Sequence, residues 1–411
     1  RNWAPLAVDP RSIDAIILTH AHLDHSGYLP KIAREGFSGP VYCTPATADL
    51  CEILLKDSAQ IAEKDAEYAN RKGFSKHKPA QPLYTVKDAE RALKLLHPVA
   101  FAEDFSMRGG VSFRFARAGH ILGAASAEVT VEDRTIVFSG DLGRYDDPFM
   151  FDPEPITVAD YVVVESTYGD RPHPDVDPLE ALGEIADRTI ARGGTLVIPA
   201  FAVGRAQRLL HDFWRLKKKG RLNSTPLFLD SPMATNATGL LSRHMDDHRF
   251  TPEVCRESCN VAAYVNDWEE SVALSENPTP KIIISASGMA TGGRVLRHIK
   301  AFGPDPKNAI LFSGFQAAGT RGAKLLAGET ETKIHGEWIP IRAEILQLSM
   351  LSAHADANEI LRWLKTLAKP PRRTFIVHGE PDAAEALRVR VGRDLKWNCD
   401  VVDPERVYEL D

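Results

Sequence analysis

Residues 16–28 read Ile16-Ile17-Leu18-Thr19-His20-Ala21-His22-Leu23-Asp24-His25-Ser26-Gly27-Tyr28. A short apolar run ends abruptly in four potential metal ligands within six residues: His20, His22, Asp24 and His25. If the backbone stays extended past Leu18, residues two apart point to the same side. His20, His22 and Asp24 then converge on one small volume, and a bend at Ser26-Gly27 turns His25 toward it. Imidazole nitrogen and carboxylate oxygen are the donors that suit zinc and its neighbours. A polar loop that happens to be rich in histidine is the competing reading. Three histidines and an aspartate in this order speak against it.

Composition sets the outer limits. The 411 residues suffice for two or three domains with a large core. An apolar fraction of 44% and a charged fraction of 26% are ordinary for a globular protein in water. No apolar stretch approaches the length of a membrane span, and no signal peptide is visible, so no membrane partner is expected. The five cysteines (Cys43, Cys51, Cys255, Cys259, Cys399) are few and odd in number, and read as reduced thiols of a cytoplasmic protein. Cys255 and Cys259 stand four apart but lack a second pair. A net charge of −6 excludes attraction of nucleic acid by the overall field, so such a partner needs local basic patches or metal.

Outward from the motif, residues 28–37 read as a helix and residues 40–43 as a short strand. Thr44-Pro45 is a helix start, a capping hydroxyl followed by proline, and the long polar helix over 46–72 stops at Gly73. The basic segment 71–79 reads as a solvated connection in preference to a substrate-contacting arm. Residues 111–116 form a strand that delivers Gly119-His120. A hairpin of residues 128–131 and 135–138 turns at Asp133-Arg134 and delivers Asp141, and a buried strand over 161–164 delivers Glu165. Each time, apolar residues end in a ligand or acid flanked by small residues.

From about His173 the rhythm changes. Four apolar strand candidates (196–199, 227–229, 282–285, 309–312) alternate with helices, the signature of a parallel, doubly wound sheet. Ligands of such sheets sit beyond the carboxyl ends of the strands. Those ends carry Arg205, Ser231, Ser287, Gly288, Arg294 and Ser313, in loops whose free N–H groups suit a phosphate. Near 333–345 the chain reads as short strands returning to the first domain. His354 then precedes a helix over 358–367, and a last buried strand over 374–377 ends in His378. No internal repeat or low-complexity segment is present.

In order and setting, His20, His22, Asp24, His25, His120, Asp141, Glu165, His354 and His378 match the motifs of the metallo-β-lactamase family. More narrowly the chain resembles its β-CASP branch, which includes ribonuclease J and the endonuclease of pre-mRNA 3′-end processing, and it looks like a compact prokaryotic stand-alone member. The resemblance implies an α/β fold: a metallo-β-lactamase αββα sandwich interrupted by a β-CASP domain. Residues 1–172 are its first part, 173–343 the β-CASP insertion and 344–411 the return segment. It implies two zinc ions per chain, one on His20, His22 and His120, the other on Asp24, His25 and His378, with Asp141 bridging. It implies that Asp24, Glu165 and His354 serve catalysis, His354 protonating the departing oxygen and Glu165 orienting or charging it. Histidine at 378 follows the branch's RNA-directed members. The strands that normally precede the motif are missing from a chain that starts at Arg1-Asn2-Trp3, so an N-terminal piece is expected to be absent. The other eight histidines, such as His211, His244 and His248, read as core or surface residues.

The function implied is a zinc-dependent ribonuclease that hydrolyses single-stranded RNA with a two-metal-activated hydroxide, leaving 5′-phosphate and 3′-hydroxyl ends. Endonuclease and 5′–3′ exonuclease action stay open, as does a homo-oligomer. The alternatives are a DNA nuclease of the same branch, a small-molecule thioester or lactone hydrolase, and an inactive RNA-binding scaffold subunit.

Overall fold

The computed structural model describes residues 2–73, 75–403 and 406–410. Phe74, in the basic connection, lies outside the described residues. The chain divides into two compact units: one runs to Pro172 and resumes at His354, and the other is His173–Ala353.

In the first unit a seven-stranded sheet has the order Cys399–Val401, Arg373–Ile376, Tyr161–Val164, Arg134–Phe138, Ala125–Val131, Val111–Arg117, Phe105–Ser106. A parallel three-stranded sheet is built from Ile16–Ile17, Val41–Cys43 and Leu96–Pro98. Phe113, Phe115, Ala125 and Ala127 of the large sheet bury against Ile17 and Tyr42 of the small one. The opposite face of the large sheet (Val137, Val162, Val164, Ile376) carries Ile360, Trp363 and Leu364 of the Ala357–Leu364 helix, and Ala384 and Leu387 of the Pro381–Arg390 helix. Helices Leu29–Arg34, Pro45–Lys72 and Val86–Leu93 accompany the small sheet. This is the expected helix–sheet–sheet–helix sandwich.

Local chemistry explains most boundaries. Thr44 caps the Pro45–Lys72 helix by accepting from Thr47 N, and Gly73 closes it at φ +69. The Val86–Leu93 helix was not anticipated, although its signal, a capping box of Thr85 and Asp88, stands in the sequence. The hairpin turns at Glu132-Asp133, one residue earlier than expected, and its strands are longer.

The second unit holds six parallel strands in the order Ala263–Tyr264, Leu227–Asp230, Ile282–Ser285, Leu196–Pro199, Ala309–Phe312, Glu344–Gln347. Ile198, Ile284 and Leu311 face the layer of Leu182, Leu209 and Phe213. Val197, Ile283 and Ile310 face the other layer, with Val295, Ile299 and Leu325. Both faces are covered, which is why the strands read as continuous apolar runs. Glu344–Gln347, expected to open the return to the first domain, instead pairs with Ala309–Phe312. The second unit therefore runs to Ala353, ten residues past the expected boundary at 343. Among the described residues no helix is long and apolar enough to cross a membrane. All five cysteines are free thiols.

Candidate metal centre

The motif is extended only as far as His22. Asp24 and His25 sit in a single helical turn, Leu23–Ser26, with His22 at its N-cap. That turn swings His25 inward, and Ser26 Oγ pins the bend by donating to Ala21 O at 2.8 Å. Strand ends and loops of the large sheet supply the rest. His120 follows Val111–Arg117, Asp141 follows Arg134–Phe138, Glu165 follows Tyr161–Val164 and His378 follows Arg373–Ile376.

Two ligand sets result. One is His20, His22, His120 and Asp141, and the other is Asp24, His25 and His378; within each set the donor atoms lie within 4.8 Å of one another. Asp141 faces both. Its Oδ2 lies 3.4 Å from His20 Nε2 and 3.6 Å from His120 Nε2, while its Oδ1 lies 3.3 Å from His25 Nε2. His378 Nε2 lies 3.1 Å from Asp24 Oδ2 and 3.2 Å from His25 Nε2. His378 has a left-handed backbone at φ +52, a conformation that costs a non-glycine residue about 1–3 kcal/mol unless its surroundings hold it.

The donor chemistry fits a divalent ion. His20 Nε2 and Asp141 Oδ1 are buried and reach no partner in hydrogen-bonding geometry among the described residues. Such orphans are costly unless something else satisfies them. Burial pushes His22 down to about 3, with His20 adding to it. His20 is also lowered by burial, against the pull of Asp141, and His120 is lowered by burial and by His354. Neutral imidazoles are what a metal needs. Burial opposes a charge on Asp141, yet His20 and His25 hold it well below the usual carboxylate range. Asp24 is likewise held low, chiefly by His378 working against burial.

Beside this centre, His354 Nδ1 lies 3.2 and 3.3 Å from the two oxygens of Glu165. Glu165 is fully buried, and it also accepts from Leu142 N at 2.7 Å and Thr167 N at 3.2 Å. Asp141, Glu165 and His354 are spaced as a third ligand set. Both oxygens of Glu165 are already engaged, however, so it reads as the anchor of His354. Burial works against a charge on His354, but Glu165 outweighs it and the pKa is raised. His378 is raised to about 9, burial again opposing and Asp24 prevailing.

The six residues expected to face a phosphate are placed less uniformly. Arg294 is committed to its own fold: Nη1 donates to Asp230 Oδ1 at 2.8 Å and Val265 O at 3.0 Å, and Nη2 to Asn266 O. Asp230, fully buried, also binds His298 Nε2 at 2.6 Å. Ser231 Oγ caps the Pro232–Gly239 helix. Ser313 and Arg205 are buried. Ser287 Oγ accepts from Thr291 N, and a Cβ at Gly288 would press on Phe201. The hydroxyls of Thr19 (3.3 Å from His20 Nδ1) and Thr167 (3.3 Å from His378 Nδ1) were not singled out from the sequence. Their signal was a hydroxyl residue one or two positions from a motif residue.

Comparison with known proteins decides the family. The metallo-β-lactamase superfamily profile matches residues 3–193, the Beta-Casp domain profile residues 206–325, and the profile of the Zn-dependent metallo-hydrolase RNA specificity domain residues 338–402. A ribonuclease of Thermus thermophilus, TTHA0252, is 38% identical over 94% of this chain and 86% of its own length. The chain belongs to the β-CASP branch of the metallo-β-lactamase superfamily. Its fold is that of a metal-dependent hydrolase. The transcription termination factor FttA of Methanosarcina mazei is 32% identical over 96% of this β-CASP chain but only 62% of its own length. An RNase J-like protein of Methanocaldococcus jannaschii is 29% identical over 95% of the chain and 87% of its own length.

Proposed function

We propose that this β-CASP protein is a zinc-dependent ribonuclease that hydrolyses phosphodiester bonds of single-stranded RNA. The observation that carries the reading is Asp141, a buried carboxylate whose two oxygens face two separate ligand sets beside a carboxylate-anchored histidine. The RNA class is supported by the RNA specificity profile over 338–402 and by the ribonuclease similar over 94% of the chain.

His20, His22 and His120 would hold one zinc ion and Asp24, His25 and His378 the other, with Asp141 shared. When bound, such a pair lowers the pKa of a water toward about 7 and stabilises negative charge on a phosphoryl group. The chain's own residues then divide the work. His20, His22 and His120 stay neutral because burial disfavours their protonation, so their lone pairs remain available. Asp141 stays ionised. His354 gives one N–H to Glu165 through Nδ1, which fixes the ring, and the Glu165 carboxylate shifts the ring toward its protonated form. Its Nε2–H is then the proton for the departing 3′-oxygen. Water attack on phosphorus leaves a 5′-phosphate and a 3′-hydroxyl and makes no use of the RNA's 2′-hydroxyl.

The test is incubation of the purified protein with labelled single-stranded RNA and DNA bearing different 5′ ends, followed by analysis of product termini. RNA cleavage to 5′-phosphate and 3′-hydroxyl ends is expected, including at a 2′-methoxy nucleotide. A 2′,3′-cyclic phosphate would mean attack by the RNA itself. Equal or faster cleavage of DNA would move the reading to the DNA enzymes of the branch.

A further inference from the structure

Glu165-Ser166-Thr167 reaches His378 as well as His354. The Tyr161–Val164 and Arg373–Ile376 strands pair in parallel, Val164 opposite Ile376, so the two loops leave the sheet side by side. Val377 N still donates to Val164 O at 2.9 Å. Beyond that point side chains join the backbone bonds between the two loops. Ser166 Oγ donates to Val377 O at 2.8 Å, and Ser166 N donates to His378 O at 3.2 Å. Thr167 Oγ1 lies 3.3 Å from His378 O and 3.3 Å from His378 Nδ1. The loops approach so closely that a Cβ at Gly379 would stand 2.4 Å from Ser166 Oγ, so only glycine fits there.

These contacts surround the one histidine of the centre with a left-handed backbone, φ +52. That conformation aims Nε2 at Asp24 and His25. A hydroxyl has one proton to give and lone pairs to receive. If Thr167 donates to His378 O, it accepts from Nδ1–H, which also points within 3.4 Å of Asp141 Oδ1, and with these two acceptors on Nδ1 the lone pair of the ring is left at Nε2. Hydrogen bonds of this kind orient metal-binding imidazoles and fix their tautomer.

We propose that Ser166 and Thr167 are positioning residues of the metal centre. Ser166 holds the left-handed turn of His378, and the Thr167 hydroxyl orients the imidazole and reserves Nε2 for a divalent ion. The tripeptide thus serves both histidines, Glu165 through His354 and its two neighbours through His378. This rests on the reading of His378 as a ligand, so the experiment includes a variant of that residue.

Metal-free wild type, Thr167→Val, Thr167→Ser and His378→Ala are titrated with zinc against a chromogenic chelator, and each metal-free protein is melted. Valine keeps the shape of threonine and loses the hydroxyl, whereas serine keeps the hydroxyl. Thr167→Val is expected to weaken one of two zinc sites by about 10–100-fold and leave the other unchanged. Thr167→Ser is expected to restore it, and the metal-free melting temperatures should agree within a few degrees. Two wild-type sites in Thr167→Val beside a weakened site in His378→Ala would overturn the positioning role alone. Loss of both sites in Thr167→Val, or a metal-free melting temperature lower by more than about 5 °C, would make Thr167 a folding residue and also overturn it. Two wild-type sites in His378→Ala would remove the ligand reading and this inference with it.

Discussion

Replacing His354 by alanine should separate proton donation from metal binding. The side chain is 18% exposed and makes its charged contacts with Glu165 and, at 4.0 Å, with Asp141. Truncation leaves Glu165 with two donors, Leu142 N and Thr167 N, so no buried carboxylate is stranded. The stability cost should therefore stay near that of one charged hydrogen bond, about 1.5–3 kcal/mol. The catalytic cost is larger. A positioned general acid contributes about 10²–10⁴-fold, or about 3–5 kcal/mol in the barrier, and RNA cleavage should slow by that factor. The assay is single-turnover cleavage of labelled RNA by zinc-loaded protein, beside hydrolysis of an aryl phosphodiester whose phenolate departs without a proton. The aryl ester should lose less than about tenfold, and both zinc ions should remain. Glu165→Gln should slow RNA cleavage by about 10–100-fold, and the double variant should be no slower than His354→Ala, because Glu165 acts through that ring. Zinc loss from His354→Ala, normal RNA cleavage, or equal losses on the two substrates would refute the reasoning.

Asp141→Asn should weaken both ions, since each of its oxygens faces a different ligand set; a variant that keeps either ion at wild-type affinity by elemental analysis would end the bridging assignment. Lys281 is buried, with Nζ donating to the carbonyls of Asn277 and Thr279, and burial lowers its pKa from 10.5 to about 8. Between those values the unfolded chain binds more protons than the folded one, so stability should rise with pH by at most about 1.4 kcal/mol per unit. Denaturant midpoints of the metal-free protein should show that rise, and Lys281→Met should lack it. Trp363→Ala removes a fully buried indole whose Nε1 donates to Glu154 O, and should cost about 3–5 kcal/mol in equilibrium unfolding; a loss under about 1 kcal/mol would show that the first unit can collapse around the void.

The sequence by itself determined what is local. Thr44-Pro45 and Gly73 bound the long helix, and the apolar runs at 161–164, 196–199, 282–285 and 309–312 announce buried strands. The family motifs named each candidate ligand. These features are legible because caps, alternation and motif spacing depend on residues a few positions apart. Tertiary structure alone decided the rest. His25 and His378 are 353 residues apart in the chain and meet at 3.2 Å, where the Leu23–Ser26 turn and the end of the Arg373–Ile376 strand come together. Parallel pairing of that strand with Tyr161–Val164 brings Ser166 and Thr167 to His378. Arg294 stood among the strand-end residues expected near a phosphate, yet the fold pairs it with the buried Asp230. Glu344–Gln347 joined the second sheet because Ala309–Phe312 offered an open edge. Backbone donors and buried charges must be satisfied wherever the chain ends up, and which group satisfies them is fixed by contacts that no local pattern encodes.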